Sequence, residues 1–521
     1  MKLIKRAWNW LEGIHGLLLV LYVTFIFFTY YLVTVQGADH LIKWGILVFG
    51  LALGICPGVL RGIRKVTGGT LGADRPLVPL KWKLVFLLVP LGLLLFKYIV
   101  YYPGSFSYDS MEQYGQALSG QYSDWHPVIH TLLAFKVPLL LTGGWYGSIV
   151  LFQVLAFSGA ISYTLFTVWR AAGLRYAVAT MIFFLVHPGM ASLAMYPWKD
   201  TAFTIGALLL ASFSLRIWLS GGEWLKKPVG FIAFAVVAAV TTLVRHNGIL
   251  FTGPLCFAVC LLAGWKRALA LCASVLALVC GIRFPLYSEL GVEAPGSRLS
   301  ETMGLPMTVI GAVAKFAPEQ LDEETREFVD RIGDQDVWEK YEYGNYNPVK
   351  RDERVDLSVI EEYGAGRVIG MALRCFRNAP RAALTGLIRL TDVSYTVCDD
   401  YRYFIMPGNA VEGQGIARLR DLWDMVCSRL YIVFPWGFMY IGAMHLILIV
   451  VVLAKCRFRK WEDWKRIFLV LPVFVYNWGT TLLLTGAPDS ARFFFYTFMV
   501  VPVILVPVLG ISVKRRNGVT G

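Results

Sequence analysis

Charged residues are scarce in this chain of 521 residues: Asp, Glu, Lys and Arg together make up only 16% of it. Soluble proteins of ordinary composition carry about 25% charged residues, so a soluble globular protein is excluded. The sequence also contains no Walker phosphate-binding loop, no dinucleotide-binding fingerprint, no internal repeat and no Cys-x-x-Cys pair. These absences argue against an ATP-driven machine and against a zinc site built on paired cysteines. The chain consists instead of 57% hydrophobic residues, many of them in long apolar runs.

The apolar runs predict an all-α polytopic membrane protein with about twelve transmembrane helices, because about 20 helical residues cross the hydrocarbon core of a bilayer. The first run follows three basic residues but is too long for a signal peptide, so we expect a retained helix. The stretch 127–141 is shorter and predicts an interfacial or re-entrant helix. The predicted spans are 14–34, 41–58, 84–101, 147–168, 175–191, 201–219, 229–244, 248–264, 267–284, 431–454, 467–485 and 492–512.

The net charge of +14 is concentrated in alternate loops between the predicted spans. Loops rich in Lys and Arg face the cytoplasm, so we expect both termini inside, in a plasma or inner membrane. The excess charge then reflects topology, and the sequence predicts no nucleic-acid partner.

A long segment, 285–430, separates the ninth and tenth predicted spans on the outer side. Apolar residues at helical spacing in 318–332 and 367–390 predict a mostly helical extracytoplasmic domain. It divides an N-terminal transmembrane module, 1–284, from a C-terminal transmembrane module, 431–521.

Three of the nine cysteines, Cys375, Cys398 and Cys427, fall in or at the edge of this predicted outer domain. The sequence permits one disulfide among them but does not assign it. Cysteines inside the predicted spans are expected to act as small hydrophobic residues.

Unusual polar residues gather at the outer ends of the predicted spans. The first large outer loop, 102–145, carries Tyr108, Asp109 and Glu112. Asp109 and Glu112 are three positions apart, so on a helix they share a face. A carboxylate held in a partly dry pocket is what a general base requires. The alternative is that Asp109 only caps the start of a helix.

Basic and polar residues follow at the other outer helix ends. Arginine or lysine at such a position suits a phosphate group, because phosphate accepts several hydrogen bonds from a cation. The alternatives are structural: a histidine bonded to backbone, a lysine at the membrane interface, and an ion pair between Arg245 and Asp200. The candidates are His126, Lys199, Asp200, Arg245, His246, Asn247 and Arg492.

The ordered set Asp109, His126-Pro127, Lys199-Asp200 and Arg245-His246-Asn247-Gly248 resembles the GT-C superfamily of integral-membrane glycosyltransferases. That superfamily includes protein O-mannosyltransferases and the aminoarabinose transferase of lipid A, and bacterial membrane relatives are the nearest in pattern. The resemblance covers roughly residues 84–260. It implies transfer of a sugar from a polyprenyl-phosphate donor to an acceptor hydroxyl of a glycan, lipid or protein on the outer face.

The resemblance also implies roles for individual residues. Asp109 corresponds to the general base, while Lys199 and Arg245 correspond to ligands of the donor phosphate. His126 is a further candidate for the phosphate side.

The outer loop departs from the family pattern in one respect. Many relatives have a paired-acid motif, whereas this loop reads Tyr108-Asp109-Ser110. Glu112 is the candidate for the second acid, one helical turn later. We therefore expect metal-independent chemistry without a cofactor.

Two other functions fit a polytopic membrane protein of this size. A secondary transporter or lipid flippase needs charges and broken helices near the middle of the bilayer, whereas the charges here gather at one face. A ligase or polymerase of surface polysaccharide uses basic outer residues without an essential Asp109.

Overall fold

The computed structural model describes most of the chain as helix. Apart from three residues near the N-terminus (6, 9 and 10), it describes residues 13–34, 40–66, 78–294, 298–342, 344–396, 416–433, 440–456, 460–484 and 491–509. Within these ranges there is no β-strand; two isolated bridges join Ser123 to Glu293 and Glu342 to Asn345. The all-α class predicted from the sequence is confirmed.

We number the principal helices in chain order. The N-terminal part contains α1 (Ile14–Thr34), α2 (Leu41–Val66), α3 (Leu80–Val100), α4 (Tyr108–Ser119), α5 (Val128–Leu141), α6 (Ser148–Ala172), α7 (Leu174–Val186), α8 (Lys199–Leu219), α9 (Pro228–Leu243), α10 (Ile249–Ala263) and α11 (Trp265–Glu289). The remainder contains α12 (Gly304–Phe316), α13 (Glu323–Ile332), α14 (Ser358–Asn378), α15 (Pro380–Thr391), α16 (Ala417–Val433), α17 (Ile441–Lys455), α18 (Trp461–Leu484) and α19 (Tyr496–Val508). Shorter helical turns lie at Pro188–Leu193, Glu223–Lys226, Arg298–Thr302, Pro318–Gln320, Gln335–Trp338, Asn347–Lys350, Asp392–Ser394 and Ala491–Phe494.

Seven of the described helices are long and apolar enough to cross a membrane. These membrane-crossing segments are Ile14–Leu32, Ile42–Lys65, Leu80–Val100, Ser148–Ala172, Lys199–Leu219, Trp265–Glu289 and Trp461–Leu483. The chain is therefore a membrane protein, as its composition predicts.

The other five predicted spans coincide with apolar helices of 10–17 residues, so the total of twelve stays a prediction. They are α7, α9, α10, α17 and the segment Arg492–Val508. The tenth predicted span, 431–454, is shifted: the described helix is Ile441–Lys455, and residues 434–439 lie outside the described ranges. The segment 127–141 is a short apolar helix, Val128–Leu141, whose central turn, Thr131–Lys136, is π-helical.

The largest apolar core lies between the membrane helices, with α8 near its centre. α8 packs against α6, α9 and α19, while α10 packs along α18. Gly206 of α8 permits the close contact with α9, because a Cβ there would lie 2.1 Å from the Thr241 hydroxyl oxygen. This packing brings the ends of α8, α9 and α19 together at one side of the bundle.

Residues 303–383 surround a second apolar core of their own. Its centre includes Trp338, Tyr341 and Phe328, all fully buried. This core lies within the predicted domain 285–430, although α11 continues to Glu289, past the predicted boundary. Lys350 from this region lies over the ring of Trp125, with 6.0 Å between the ammonium nitrogen and the ring centroid. The second core therefore adjoins the predicted outer loop.

The described cysteines are free thiols. Cys375 and Cys427 are both buried and unpaired by any disulfide. Cys398 lies outside the described residues, so a disulfide through it is not tested.

Candidate functional site

The charged side chains predicted at outer helix ends meet at one end of the bundle. α4 supplies Asp109 and Glu112, Lys199 begins α8, the turn between α9 and α10 supplies Arg245, and the turn before α19 supplies Arg492. We use the name charge cluster for Asp109, Glu112, His126, Lys199, Asp200, Arg245 and Arg492. Direct contacts join Asp109, Asp200, Arg245 and Arg492 in one set and Glu112, His126 and Lys199 in a second.

Asp109 lies in the first turn of α4, where Ser107 occupies the N-cap position. Its carboxylate accepts a hydrogen bond from Arg492 Nη2 at 2.9 Å instead of capping the helix. Partial burial alone would raise the pKa of Asp109, but Arg492 and then Lys199 offset it and hold this pKa below its usual range. Asp109 is therefore ionised and paired, which limits its basicity while the ion pair lasts.

Arg492 is held in place by an aromatic ring. Its guanidinium carbon lies 4.7 Å from the ring centroid of Trp198, a cation–π contact. The Trp198 indole in turn donates to the Ser107 hydroxyl at 2.7 Å, directly before α4. The start of α4, the start of α8 and the turn before α19 are thus fixed to one another around Asp109.

Asp200 and Arg245 form a buried ion pair. Their side chains contact directly, and only 2% and 6% of their surfaces are exposed. Arg245 Nε also donates to Asn247 Oδ1 at 2.7 Å, and the Asn247 amide donates to Thr480 of α18 at 2.6 Å. Arg245 is thus paired with protein groups. This is the alternative to phosphate binding that was predicted from the sequence, an ion pair with Asp200. Among the described residues, the contacts that connect its guanidinium to Asp109 run through Asp200 and Arg492.

Lys199, His126 and Glu112 form a second chain of contacts. Lys199 Nζ lies 3.0 Å from His126 Nδ1. An ammonium group can only donate, so we assign the acceptor role to Nδ1 and the ring proton to Nε2. Nε2 is buried without a hydrogen bond among the described residues and lies 3.4 Å from Glu112 Oε2. The ring proton on Nε2 therefore lies near the Glu112 carboxylate without a hydrogen bond to it.

The pKa shifts agree with this assignment. Burial, reinforced by the positive charge of Lys199, lowers the pKa of His126 to about 3, so the ring is neutral near pH 7. Burial and, second, the charge of Asp109 raise the pKa of Glu112. The two carboxylates on one face of α4 are thus shifted in opposite directions.

Two of the predicted supporting residues lie at the edge of the cluster. Tyr108 is 84% exposed beside Asp109. His246 is 40% exposed, and its Nε2 lies 3.9 Å from Asp124 Oδ1.

Contacts that were not predicted from the sequence fix the outer loop to α11. Asp124 is 7% exposed and receives hydrogen bonds from Arg283 at 3.0 Å and Tyr287 at 2.7 Å. Arg283 and Tyr287 are four positions apart, on one face of α11. In the sequence, this spacing is the one feature that could have indicated the contact with Asp124, and it is common on helices.

Gly104 sets the path of the chain into α4. Its φ is +121°, a conformation that other residues rarely adopt, and a Cβ there would lie 2.3 Å from Val150 Cγ2. The next residue, Ser105, donates from its backbone N–H to the Met195 carbonyl at 2.9 Å. The outer loop is thus tied to the segment that leads into α8.

Among the described residues, no group of three or more His, Cys, Asp or Glu side chains is arranged to hold a metal ion. The cluster's carboxylates are directed instead at Arg492, Arg245 and His126. Metal-independent chemistry stays a prediction.

Comparison with family models, with curated proteins and with solved structures finds no match to this chain.

The cluster combines partly exposed carboxylates with partly exposed cations. Asp109, Glu112 and Arg492 expose 29%, 32% and 24% of their side chains, whereas the Asp200–Arg245 pair is buried beneath them. Such a site can bind an anion at its cations and accept a proton at a carboxylate.

Proposed function

We propose that this protein is a membrane glycosyltransferase of the GT-C type that moves a sugar from a polyprenyl-phosphate donor to an acceptor hydroxyl. The observation that supports this most directly is the 2.9 Å contact between Asp109 and Arg492. It pairs an acid at the start of α4 with an anion-binding group in the turn before α19, both partly exposed, at one end of the helix bundle. Charged groups in that position are costly beside lipid and are typical of functional sites.

The reaction needs two features from the protein. The acceptor oxygen forms a bond to the anomeric carbon, the bond from that carbon to the phosphate oxygen breaks, and the electron pair leaves with the phosphate. Asp109 takes the acceptor's proton, while Lys199 and Arg492 stabilise the charge that develops on the phosphate. Arg245 acts through Asp200, which it holds beside Arg492.

The membrane location suits such a donor. A prenyl chain can stay in hydrocarbon while its phosphate reaches cations at the helix ends. We place the site on the outer face of a plasma or inner membrane, with both termini cytoplasmic, because basic residues fill the opposite loops. The acceptor is a glycan, a lipid or a protein, and the region around the second apolar core covers the site or holds that acceptor.

The decisive experiment substitutes Asp109 by Asn. The assay follows release of polyprenyl phosphate from a panel of labelled polyprenyl-phosphate hexoses and pentoses, with purified protein in detergent and a chelator present. We expect a loss of roughly 10²- to 10⁴-fold, because an amide cannot take the proton. The exposed residue Asp330, changed to Asn, is the control and should keep full activity. Near-normal release by the Asp109→Asn protein would eliminate this base.

A transporter is the second candidate, since a polar network lies deep among the membrane helices. His445 and Asn477 are fully buried, with 2.7 Å between His445 Nε2 and Asn477 Nδ2. His445 Nδ1 faces the Ser394 carbonyl at 2.6 Å, and the Tyr496 hydroxyl donates to Asn477 Oδ1 at 2.9 Å. Each of these side-chain groups has a partner, which suits a structural contact better than an ion path. Solute or lipid movement in proteoliposomes without sugar transfer would favour this candidate.

A further inference from the structure

The two arginines of the charge cluster differ in how many of their N–H groups are bonded to protein partners. Arg245 is buried against Asp200 and also donates to Asn247. Among the described residues, Arg492 makes one hydrogen bond to a carboxylate, at Asp109; its Nε lies 3.9 Å from Asp200 Oδ2, too far for a second. A guanidinium has five N–H donors, so within the described part of the chain Arg492 has donors left to bind an anion.

Arg492 is also placed to exchange partners without leaving the site. The Trp198 ring supports its guanidinium at 4.7 Å, and 24% of its side chain is exposed. A planar guanidinium binds phosphate through two parallel hydrogen bonds, which is stronger than a single bond to a carboxylate.

We propose that Arg492 is the principal ligand of the donor phosphate, and that it releases Asp109 when the phosphate binds, so that Asp109 becomes a base only in the donor-bound protein. This inference rests on the proposed function. It assigns to Arg492 the role that the family resemblance implies for Arg245, whose guanidinium the structure pairs with Asp200.

The exchange of Arg492 from Asp109 to the phosphate follows from the charges of the three groups. In the free protein Arg492 is hydrogen-bonded to Asp109, so the carboxylate and an incoming phosphate compete for the same guanidinium. A bound phosphodiester brings one negative charge, takes the Arg492 hydrogen bonds and leaves Asp109 beside an anion, which makes that carboxylate a stronger proton acceptor. The acceptor's proton then moves to Asp109 as the sugar's bond to the phosphate breaks. Without donor, Asp109 stays paired and cannot activate water or other hydroxyls.

Binding of geranylgeranyl phosphate, a short polyprenyl phosphate without sugar, tests this separately from catalysis. If Asp109 and phosphate compete for Arg492, substitutions of these two residues should change the dissociation constant of geranylgeranyl phosphate in opposite directions. The dissociation constants are measured in detergent. Arg492→Gln should weaken binding by about 10-fold or more, with Arg492→Lys between it and the unmodified protein. Asp109→Asn should tighten binding by about 5-fold or more, because it frees Arg492. In the Arg492→Gln protein the same Asp109 change should have little effect, since there is no shared cation.

Glu112→Gln is the matched control, because it removes a carboxylate from the same face of α4 but not from Arg492. It should tighten binding less than Asp109→Asn does. Equal tightening by both, or none by Asp109→Asn, would overturn the exchange while leaving the glycosyltransferase proposal intact. Failure of the unmodified protein to bind geranylgeranyl phosphate at all would overturn the proposed function as well.

Discussion

Arg492 donates a hydrogen bond to Asp109 across 2.9 Å, although 383 positions separate the two residues in the chain. The candidate site therefore belongs to neither half of the protein alone. Its first acid lies at the start of a short helix in the outer loop, and the cation bonded to it lies before the last described helix. Any account of activity has to include both.

Breaking the buried ion pair should destabilise the protein strongly. Arg245→Ala leaves Asp200 buried without its cation, which typically costs about 3–5 kcal/mol. Thermal unfolding in detergent, followed by tryptophan fluorescence, measures this loss. Arg331→Ala is the control, because its ion pair with Glu362 is exposed and such pairs contribute at most about 1 kcal/mol. Equal effects of the two substitutions would contradict the buried-pair assignment.

Acid should destabilise the protein through His126. Its pKa is about 3 in the folded protein and about 6.5 when unfolded, so the unfolded chain binds more protons between these values. Stability is then lost as the pH falls through this window, by up to about 1.4 kcal/mol per pH unit. His126→Gln should show a smaller drop in melting temperature between pH 7 and pH 5 than the unmodified protein. The exposed His40, changed to Gln, should leave the drop unchanged.

A methyl group at Gly104 should disturb the outer loop. Gly104→Ala places a Cβ against Val150 at a backbone conformation that alanine disfavours, so we expect a loss of about 1–3 kcal/mol and reduced transfer. Gly115→Ala is the matched substitution within α4, where, apart from the adjoining residues and the backbone of α4 itself, no described atom lies within 4 Å of the added group. It should be neutral or stabilise by up to about 1 kcal/mol. Comparable losses from both would show that the Gly104 contact does not position α4.

Sidedness can be tested with single cysteines in a cysteine-free background. Asp336 lies in the predicted outer domain and Glu223 in a predicted cytoplasmic turn, and their side chains are 69% and 59% exposed. We expect a membrane-impermeant maleimide applied to intact cells to label Asp336→Cys but not Glu223→Cys, because basic loops face inward. The reverse pattern would invert the topology and move the charge cluster to the cytoplasmic face.

The apolar runs predicted the positions of the membrane helices well, because about 20 apolar residues are distinctive in any sequence. Their lengths were less predictable. α7 and α10 are too short to cross by length alone, and α17 begins ten residues later than the predicted span. Helix ends depend on turns and tertiary packing, which the hydrophobic pattern does not record.

The residues of the charge cluster were predictable as a group, since the predicted topology put all of them at outer helix ends. Their pairing was not fully predictable, because it depends on how α8, α9 and α19 pack. The Asp200–Arg245 pair was an available alternative, whereas the Asp109–Arg492 contact joins residues that no local pattern connects. The hydrogen bond from Arg283 to Asp124 was not predicted either, because no local pattern connects these two residues.

The position of Arg492 also has a consequence for biosynthesis. Asp109 and Asp200 are made and inserted hundreds of residues before the arginine that lies beside both. Until the turn that carries Arg492 joins the bundle, Asp109 lacks the cation that is hydrogen-bonded to it in the folded protein, and the nascent chain lacks this part of the proposed anion site. A chain arrested before this step cannot assemble the site, so the protein acquires its proposed activity only after the segment that carries Arg492 has joined the bundle.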